Sequence, residues 1–369
     1  MKTVCPSNQC TGCMACLDAC TQNAIKIDDS LWAYNAVIDE SKCVNCGVCT
    51  RVCPVNIKQE LRLPKKWFQG WAVDEQVRSC SSSGGAATAL ALEFVRTGGV
   101  VCSCTFVDGK FVFRIASTPS EVRRFSGSKY VKSAPGGAFR QVKSFLLKDV
   151  SVLFIGLPCQ VAAMRNYVGH KLSERLYTVD LICHGTPSPK ILERFLGEHR
   201  KAPSSIQFRK KTSFQVYCDG ETVSDVGEQD PYIMAFLKGL SYTENCYSCR
   251  YANVSRVSDI TLGDAWGSDL PQVEQSRGVS LILCQTEKGV SLVEKSPLLL
   301  LPVELETAVA GNAQLRKPAE KPELRGRFLS GIEAGDRLSI AIARCYPKMF
   351  LKVQIKRALR KLFFWKNAQ

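Results

Sequence analysis

Two runs of four cysteines share one spacing: Cys10, Cys13, Cys16 and Cys20, then Cys43, Cys46, Cys49 and Cys53, each reading Cys-x2-Cys-x2-Cys-x3-Cys. Three thiolates in one short looping segment can reach three corners of an iron–sulfur cube. The fourth cysteine of each run lies too far along and ligates the other cube. The spacing therefore assigns one 4Fe-4S cluster to Cys10, Cys13, Cys16 and Cys53, and a second to Cys43, Cys46, Cys49 and Cys20. Single-electron transfer is the chemistry such centres supply. Structural zinc is the competing use of so many thiols, but it takes two separated Cys-x2-Cys pairs, and a duplicated triplet with a trailing cysteine is a different pattern. Between the runs, Ala24 to Ile27 and Ala36 to Asp39 predict two short strands closing a hairpin.

This stretch resembles the bacterial two-cluster ferredoxin domain. Thr21 follows Cys20 where that domain carries proline, as Pro54 does after Cys53, and the ligand set is intact. Leu61 to Lys66, with Pro64 and two lysines, reads as a linker, after which the pattern becomes α/β. Ser81-Ser82-Ser83-Gly84-Gly85 precedes an apolar helical stretch, Ala86 to Arg96. A small-residue loop before a helix suits an anion, because free backbone N–H groups and the helix dipole point at it, though a plain cap and turn explains it equally. No Gly-x-Gly-x-x-Gly and no P-loop occurs. Val100 to Val107 and Phe111 to Ala116 predict strands, and Ala138 to Leu147 a helix. Val150 to Gly156 predicts a buried strand running into Leu157-Pro158-Cys159-Gln160 and a helix. Leu176 to Cys183 repeats the arrangement before a helix from about Pro189 to Arg200. Ligands gather at the carboxyl ends of strands in open α/β sheets, so Cys159 and Cys183 mark a candidate site. Cys246 and Cys249 form half of a tetrahedral set, either a redox dithiol or a pair completed by Cys159 and Cys183.

Leu157-Pro158-Cys159-Gln160, Ile182-Cys183-His184-Gly185, Cys246-x2-Cys249 and Ser258-Asp259-Ile260 with Gly263-Asp264 resemble, in that order, the beta subunit of coenzyme F420 hydrogenase/dehydrogenase. Ser83-Gly84-Gly85 and Gly127-Ser128-Lys129-Tyr130 look like that family's upstream motifs. The resemblance covers about residues 67 to 310. It implies an FAD-binding α/β domain with a third 4Fe-4S cluster beside the flavin, related to plant chlorophyll reductases and deazaflavin-linked dehydrogenases. Cys159, Cys183, Cys246 and Cys249 would hold that cluster, and Ser83, Gly84, Gly85, Gly127, Ser128, Lys129 and Tyr130 would lie along the FAD.

The chain has 369 residues and only three histidines, His170, His184 and His199, so histidine-based metal sites are poorly supplied. His184, beside a cluster ligand, is the candidate proton donor near the flavin; a supporting hydrogen bond or plain packing is the bland use. Cys102, Cys104, Cys218, Cys284 and Cys345 read as buried thiols, and Cys5 and Cys80 lack partners in the pattern. Asp259 and Asp264 either line the site or form turns. The net charge is +15, and residues 316–369 hold fourteen Lys/Arg against four Asp/Glu. So basic a tail on a mildly basic body argues against nucleic acid as partner. From Tyr346 onward Leu351, Ile355, Leu359 and Leu362 stripe one face of a helix beside Lys356, Arg357, Arg360 and Lys361. That face suits packing on the body, an anionic membrane surface or a partner protein.

Reduced thiols, no leader before Cys10 and no apolar run near the roughly 20 residues of a membrane span point to the cytoplasm, with the tail able to rest on the membrane's inner face. The expected architecture is an α+β two-cluster ferredoxin module over residues 1–63, an α/β flavin and iron–sulfur domain over 67–310 with parts 67–148 and 149–310, and a basic, partly helical extension over 311–369. The expected function is an oxidoreductase that takes electrons from reduced ferredoxin, a similar donor or a partner redox subunit. They would pass through the clusters to FAD and on to an acceptor such as coenzyme F420 or a polysaccharide-pathway substrate. The rival reading is a non-catalytic subunit that wires a partner enzyme.

Overall fold

The computed structural model describes residues 2–224 and 230–348. In the N-terminal module, β1 (Ile25–Asp29) and β2 (Tyr34–Ile38) pair antiparallel, with Ile25 opposite Ile38. Every residue of β2 is buried, because residues 2–4 pair along its other edge: the Val4 amide donates to the Ala36 carbonyl and the Ile38 amide to the Lys2 carbonyl, each at 2.9 Å. Helices Ala15–Ala19 and Val48–Val52, one per cysteine run, pack against each other.

The body contains β3 (Lys66–Ala72), β4 (Val100–Val107), β5 (Lys110–Ala116), β6 (Val152–Gly156), β7 (Leu176–Leu181), β8 (Ile206–Lys210), β9 (Ser213–Cys218), β10 (Glu221–Thr222), β11 (Ile260–Asp264), β12 (Ser280–Cys284) and β13 (Leu298–Leu301). Eight strands form one sheet in the order β13-β3-β12-β11-β7-β6-β4-β5, and β10-β9-β8 form a small sheet beside it. Strands β4, β6, β7 and β11 run parallel, as crossover helices require, and β5, β12 and β13 pair antiparallel with their neighbours. All five residues of β6 are buried, since helices cover both faces of this central strand.

The module is seated on the body rather than tethered to it. The Asp18 carboxylate accepts from the Gly137 and Phe139 amides at 2.7 and 3.0 Å, capping the helix Ala138–Leu147, and Arg140 donates back to the Asp18 carbonyl at 2.7 Å. Arg62 and Arg256 exchange backbone hydrogen bonds of 2.8 Å in both directions. One apolar core therefore runs from Cys10, Cys13, Cys16 and Cys53 through Phe139, Phe154 and Met164 to Tyr251. Helices Arg325–Glu333 and Leu338–Cys345 bury Phe328, Leu329, Leu338 and Ile342 against Phe195, Phe208 and Tyr232 of the body. The amphipathic helix expected from Tyr346 onward lies, beyond Lys348, outside the described residues. Among the described residues no helix is long and apolar enough to cross a membrane.

Candidate iron–sulfur relay and flavin cleft

Cys10, Cys13, Cys16 and Cys53 are all buried, at 6–7% exposure. Burial and the charges of Cys13, Cys10 and Cys53 push the Cys16 thiol up, so these four sulfurs share one electrostatic neighbourhood. Amide N–H groups aim at them: Gly12 at Cys10, Ala15 at Cys13, and Asn56 and Val55 at Cys53. Donors of this kind stabilise thiolates and set cluster potentials. Cys5, which the pattern leaves without partners, is hydrogen-bonded to both Cys10 and Cys53. Its thiol is the largest influence holding Cys10 down to about 7 and Cys53 down to about 6. The pairing of residues 2–4 with β2 brings Cys5 there.

The second set is shallower. Cys46 is exposed, Cys20, Cys43 and Cys49 are half-buried, and Val44 beside them is 63% exposed. The Ala24 amide donates to Cys20 Sγ at 3.3 Å. Cys16 also feels Cys49, so the two sets adjoin.

Cys159 sits in the first turn of the helix Pro158–Val168, directly after β6, and Cys183 lies two residues past β7. Cys246 and Cys249 come from the short 3-10 turn Glu244–Ser248 and the residue after it. Burial and then Cys246 and Cys249 push Cys183 up to about 12, and Cys159 is raised by burial and by Cys249, Cys183 and Cys13. The structure thus gathers the four residues, spread over ninety positions, at one sheet edge. Gly185 N–H faces Cys183, the Tyr251 and Ala252 amides face Cys249, and Thr243 Oγ1 lies 3.6 Å from Cys246 Sγ. Cys13 also borders Cys159, so the third set adjoins the first. Among the described residues no three of His, Cys, Asp or Glu close around a point as a single metal ion needs.

The flavin-motif loops also meet: the Ser128 amide donates to Ser82 Oγ at 2.9 Å and Ser126 Oγ to the Cys80 carbonyl at 3.3 Å. Ser83 and Gly84 serve packing. Ser83 Oγ bonds the Val279 carbonyl at 2.9 Å, and a Cβ on Gly84 would stand 2.5 Å from the Gly70 carbonyl oxygen. Gly85, at φ +87°, opens the helix Ala86–Arg96 with no side-chain cap, so its first amides are free for an anion. Lys129 Nζ is held by the Phe125, Ser126 and Gly127 carbonyls at 2.5, 3.1 and 2.7 Å, and burial pulls it down to about 8. Tyr130 stacks on Phe236 at 4.4 Å.

Arg209 is a site residue that the sequence pattern missed. It binds Asp264 through two contacts of 2.6 and 2.9 Å and lies over the faces of Phe214 and the half-exposed Trp266. Arg209, Asp264 and Trp266, with Lys211, Thr212 and Gly278, line a small cavity of about 50 Å³. His184 faces this pair: its ring reaches solvent, yet surrounding protein pushes its pKa below the ordinary value, with Asp264 opposing and Arg209 reinforcing. Asp259 instead ties strands together, accepting from Thr178 N, Thr178 Oγ1 and Thr286 Oγ1 at 2.8, 2.6 and 2.9 Å.

Adjoining cysteine sets reaching the carboxyl edge of an α/β sheet define an iron–sulfur electron-transfer oxidoreductase. Family models agree. The coenzyme F420 hydrogenase/dehydrogenase beta subunit N-terminal model matches residues 67–138 and its C-terminal model 149–297, while two 4Fe-4S dicluster domain models match 9–57 and 35–94. The chain belongs to the coenzyme F420 hydrogenase/dehydrogenase beta-subunit family and carries a 4Fe-4S dicluster domain at its N-terminal side. The coenzyme F420-dependent sulfite reductase of Methanocaldococcus jannaschii is 22% identical over 309 residues, 70% of this chain and 46% of that protein. The chain thus spans about half the length of this relative. A chain of the F420-reducing NiFe hydrogenase complex from Methanosarcina barkeri superposes with a TM-score of 0.50 and 19% identity, covering 75% of this chain and 97% of that one. At that identity the likeness is one of fold.

Proposed function

We propose that the chain accepts single electrons from reduced ferredoxin or a similar donor at the exposed Cys43–Cys49 loop and passes them inward to a small-molecule acceptor. The route runs through the cluster of Cys10, Cys13, Cys16 and Cys53, then a third 4Fe-4S cluster on Cys159, Cys183, Cys246 and Cys249, to FAD. The observation that carries this is the shared apolar core that holds Cys13 and has Cys159 and Cys249 packed against it, which joins two sets that lie far apart in sequence. Bound FAD would supply the conversion between single electrons and a two-electron hydride.

The residues present fit that group in part. Amides at the start of Ala86–Arg96 and the cations Lys129 and Lys211 suit a diphosphate once Lys129 leaves the carbonyls that hold it, and the ring faces of Tyr130, Phe214 and Trp266 are covered by Phe236 and Arg209 until a ligand displaces them. Arg209 lies over the Trp266 ring at 5.5 Å, so a flavin ring stacking on that face has to displace it. His184 would hold the proton that accompanies two electrons, beside Asp264. Coenzyme F420 is the first acceptor to try, because the family and the relative above carry it in their names. A polysaccharide-pathway substrate is the second.

Anaerobic purification with iron and flavin analysis tests the reading. The expected result is about 12 Fe per chain, counting four per cube, plus non-covalent FAD that a trial acceptor reoxidises. A chain saturated with FAD that binds none refutes the flavin site. FAD that only a partner enzyme reoxidises establishes the wiring subunit instead, a role favoured by the fold's occurrence in a multisubunit complex.

A further inference from the structure

Two polar side chains stand between the first and third cysteine sets without belonging to either. Lys132 is 4% exposed. Its amide donates to the Pro187 carbonyl at 2.9 Å, in the loop that follows Cys183, and its ammonium donates to the Thr11 carbonyl at 3.0 Å, in the turn between Cys10 and Cys13. One residue thereby ties the two loops together. The chain makes room for it at Gly12, where a Cβ would come within 2.7 Å of Lys132 Cδ. The ammonium also lies over the face of Tyr34 at 5.0 Å, and among the described residues no carboxylate pairs with it. A buried cation in that state is costly unless an anion adjoins it.

Tyr251 occupies the same gap. It is 4% exposed, its hydroxyl has no hydrogen-bond partner among the described residues, and it shares one packed core with Cys13, Cys159 and Cys249. A buried hydroxyl left unpaired costs the full desolvation of that group, so a missing acceptor is the economical explanation. A cluster thiolate or sulfide supplies one.

We propose that Lys132 and Tyr251 form a polar junction coupling the Cys10/Cys13/Cys16/Cys53 cluster to the Cys159/Cys183/Cys246/Cys249 cluster. The ammonium stabilises an added electron on either side, and the phenol donates a hydrogen bond to the sulfur it faces. Both raise the two potentials together and hold the sets in register. Only an electron moves, and no bond forms or breaks. The proposal rests on the relay reading above.

Redox titration followed by electron paramagnetic resonance on the anaerobic full chain tests it, with iron measured on each preparation. Lys132→Gln should shift the midpoints of both clusters to more negative values, while Lys132→Arg stays near the parent. Tyr251→Phe, which removes one oxygen and keeps the packing, should shift the same two clusters. The shallow Cys20/Cys43/Cys46/Cys49 cluster should not move in any variant. Should Lys132→Gln fail to hold iron, Tyr251→Phe decides alone. Full iron with unmoved midpoints overturns the junction. A parent chain holding only about eight irons overturns the relay itself, and the iron assay keeps the two failures apart.

Discussion

Replacing Arg256 by methionine should damage the third cysteine set while sparing the ferredoxin pair. Arg256 and Asp180 form an ion pair at 1% and 0% exposure. The guanidinium reaches Asp180 Oδ1 at 3.2 and 3.0 Å, the Tyr251 carbonyl at 2.5 Å and the Leu181 carbonyl at 2.8 Å. Asp180 keeps only Thr261 Oγ1, at 2.8 Å, once the arginine is gone, and its Oδ2 already lacks a partner. Breaking a buried pair from one side leaves an uncompensated charge and costs about 3–5 kcal/mol. Those carbonyls lie two residues before Cys183 and two after Cys249, so the strain falls on the proposed ligands. Anaerobic urea denaturation should show that loss, and iron analysis should show about four of about twelve irons gone. Replacing both partners, Asp180→Leu with Arg256→Met, should recover most of the stability, since an apolar pair of similar volume is often neutral. A single variant that loses under about 1 kcal/mol, or that sheds ferredoxin iron first, refutes this reasoning.

Cys249→Ser should remove about four irons and stop reduction of the flavin by ferredoxin, while the spectra of the two ferredoxin clusters persist. Full iron in that variant would leave Cys246 and Cys249 as a dithiol. FAD affinity should fall as pH rises from 7 to 9, because burial pulls both Lys129 and Lys211 down to about 8. The sign follows from the charged form: each ammonium is present below about 8 and lost above it, and a charge-assisted contact contributes about 1.5–3 kcal/mol. Lys129→Met should flatten the profile measured by flavin fluorescence titration, and an unchanged profile would separate Lys129 from the phosphates.

What was legible in the sequence divides by the range over which its causes act. The 4Fe-4S dicluster domain was readable because three of the four cysteines expected at each cluster fall within seven residues, so local spacing alone points to the cube. The helices Ala86–Arg96 and Ala138–Leu147 were readable to the residue, since periodicity and flanking glycines are local too. Strand ends were readable only in part: β4 spans its expected Val100–Val107, and β5 and β6 end at the expected Ala116 and Gly156. β7 stops at Leu181 rather than Cys183, where the chain turns so that the Gly185 amide can face the Cys183 sulfur. The third set needed the ordered motifs of the family, because nothing in the neighbourhood of Cys159 names Cys249 as its partner.

Cys5, Lys132, Arg209 and Tyr251 escaped the sequence pattern for one shared reason. Each acquires its proposed role from a neighbour more than forty residues away: Cys5 from Cys53, Lys132 from Thr11, Arg209 from Asp264, and Tyr251 from Cys159 in their shared core. Each is also an ordinary residue where it stands, a thiol near the start of the chain or a lysine in a loop. Cofactor ligands carry a local spacing because one rigid group must be reached by several side chains at once. The residues that adjust such a group need only one approach each, so the fold can recruit them from anywhere and leave no spacing behind.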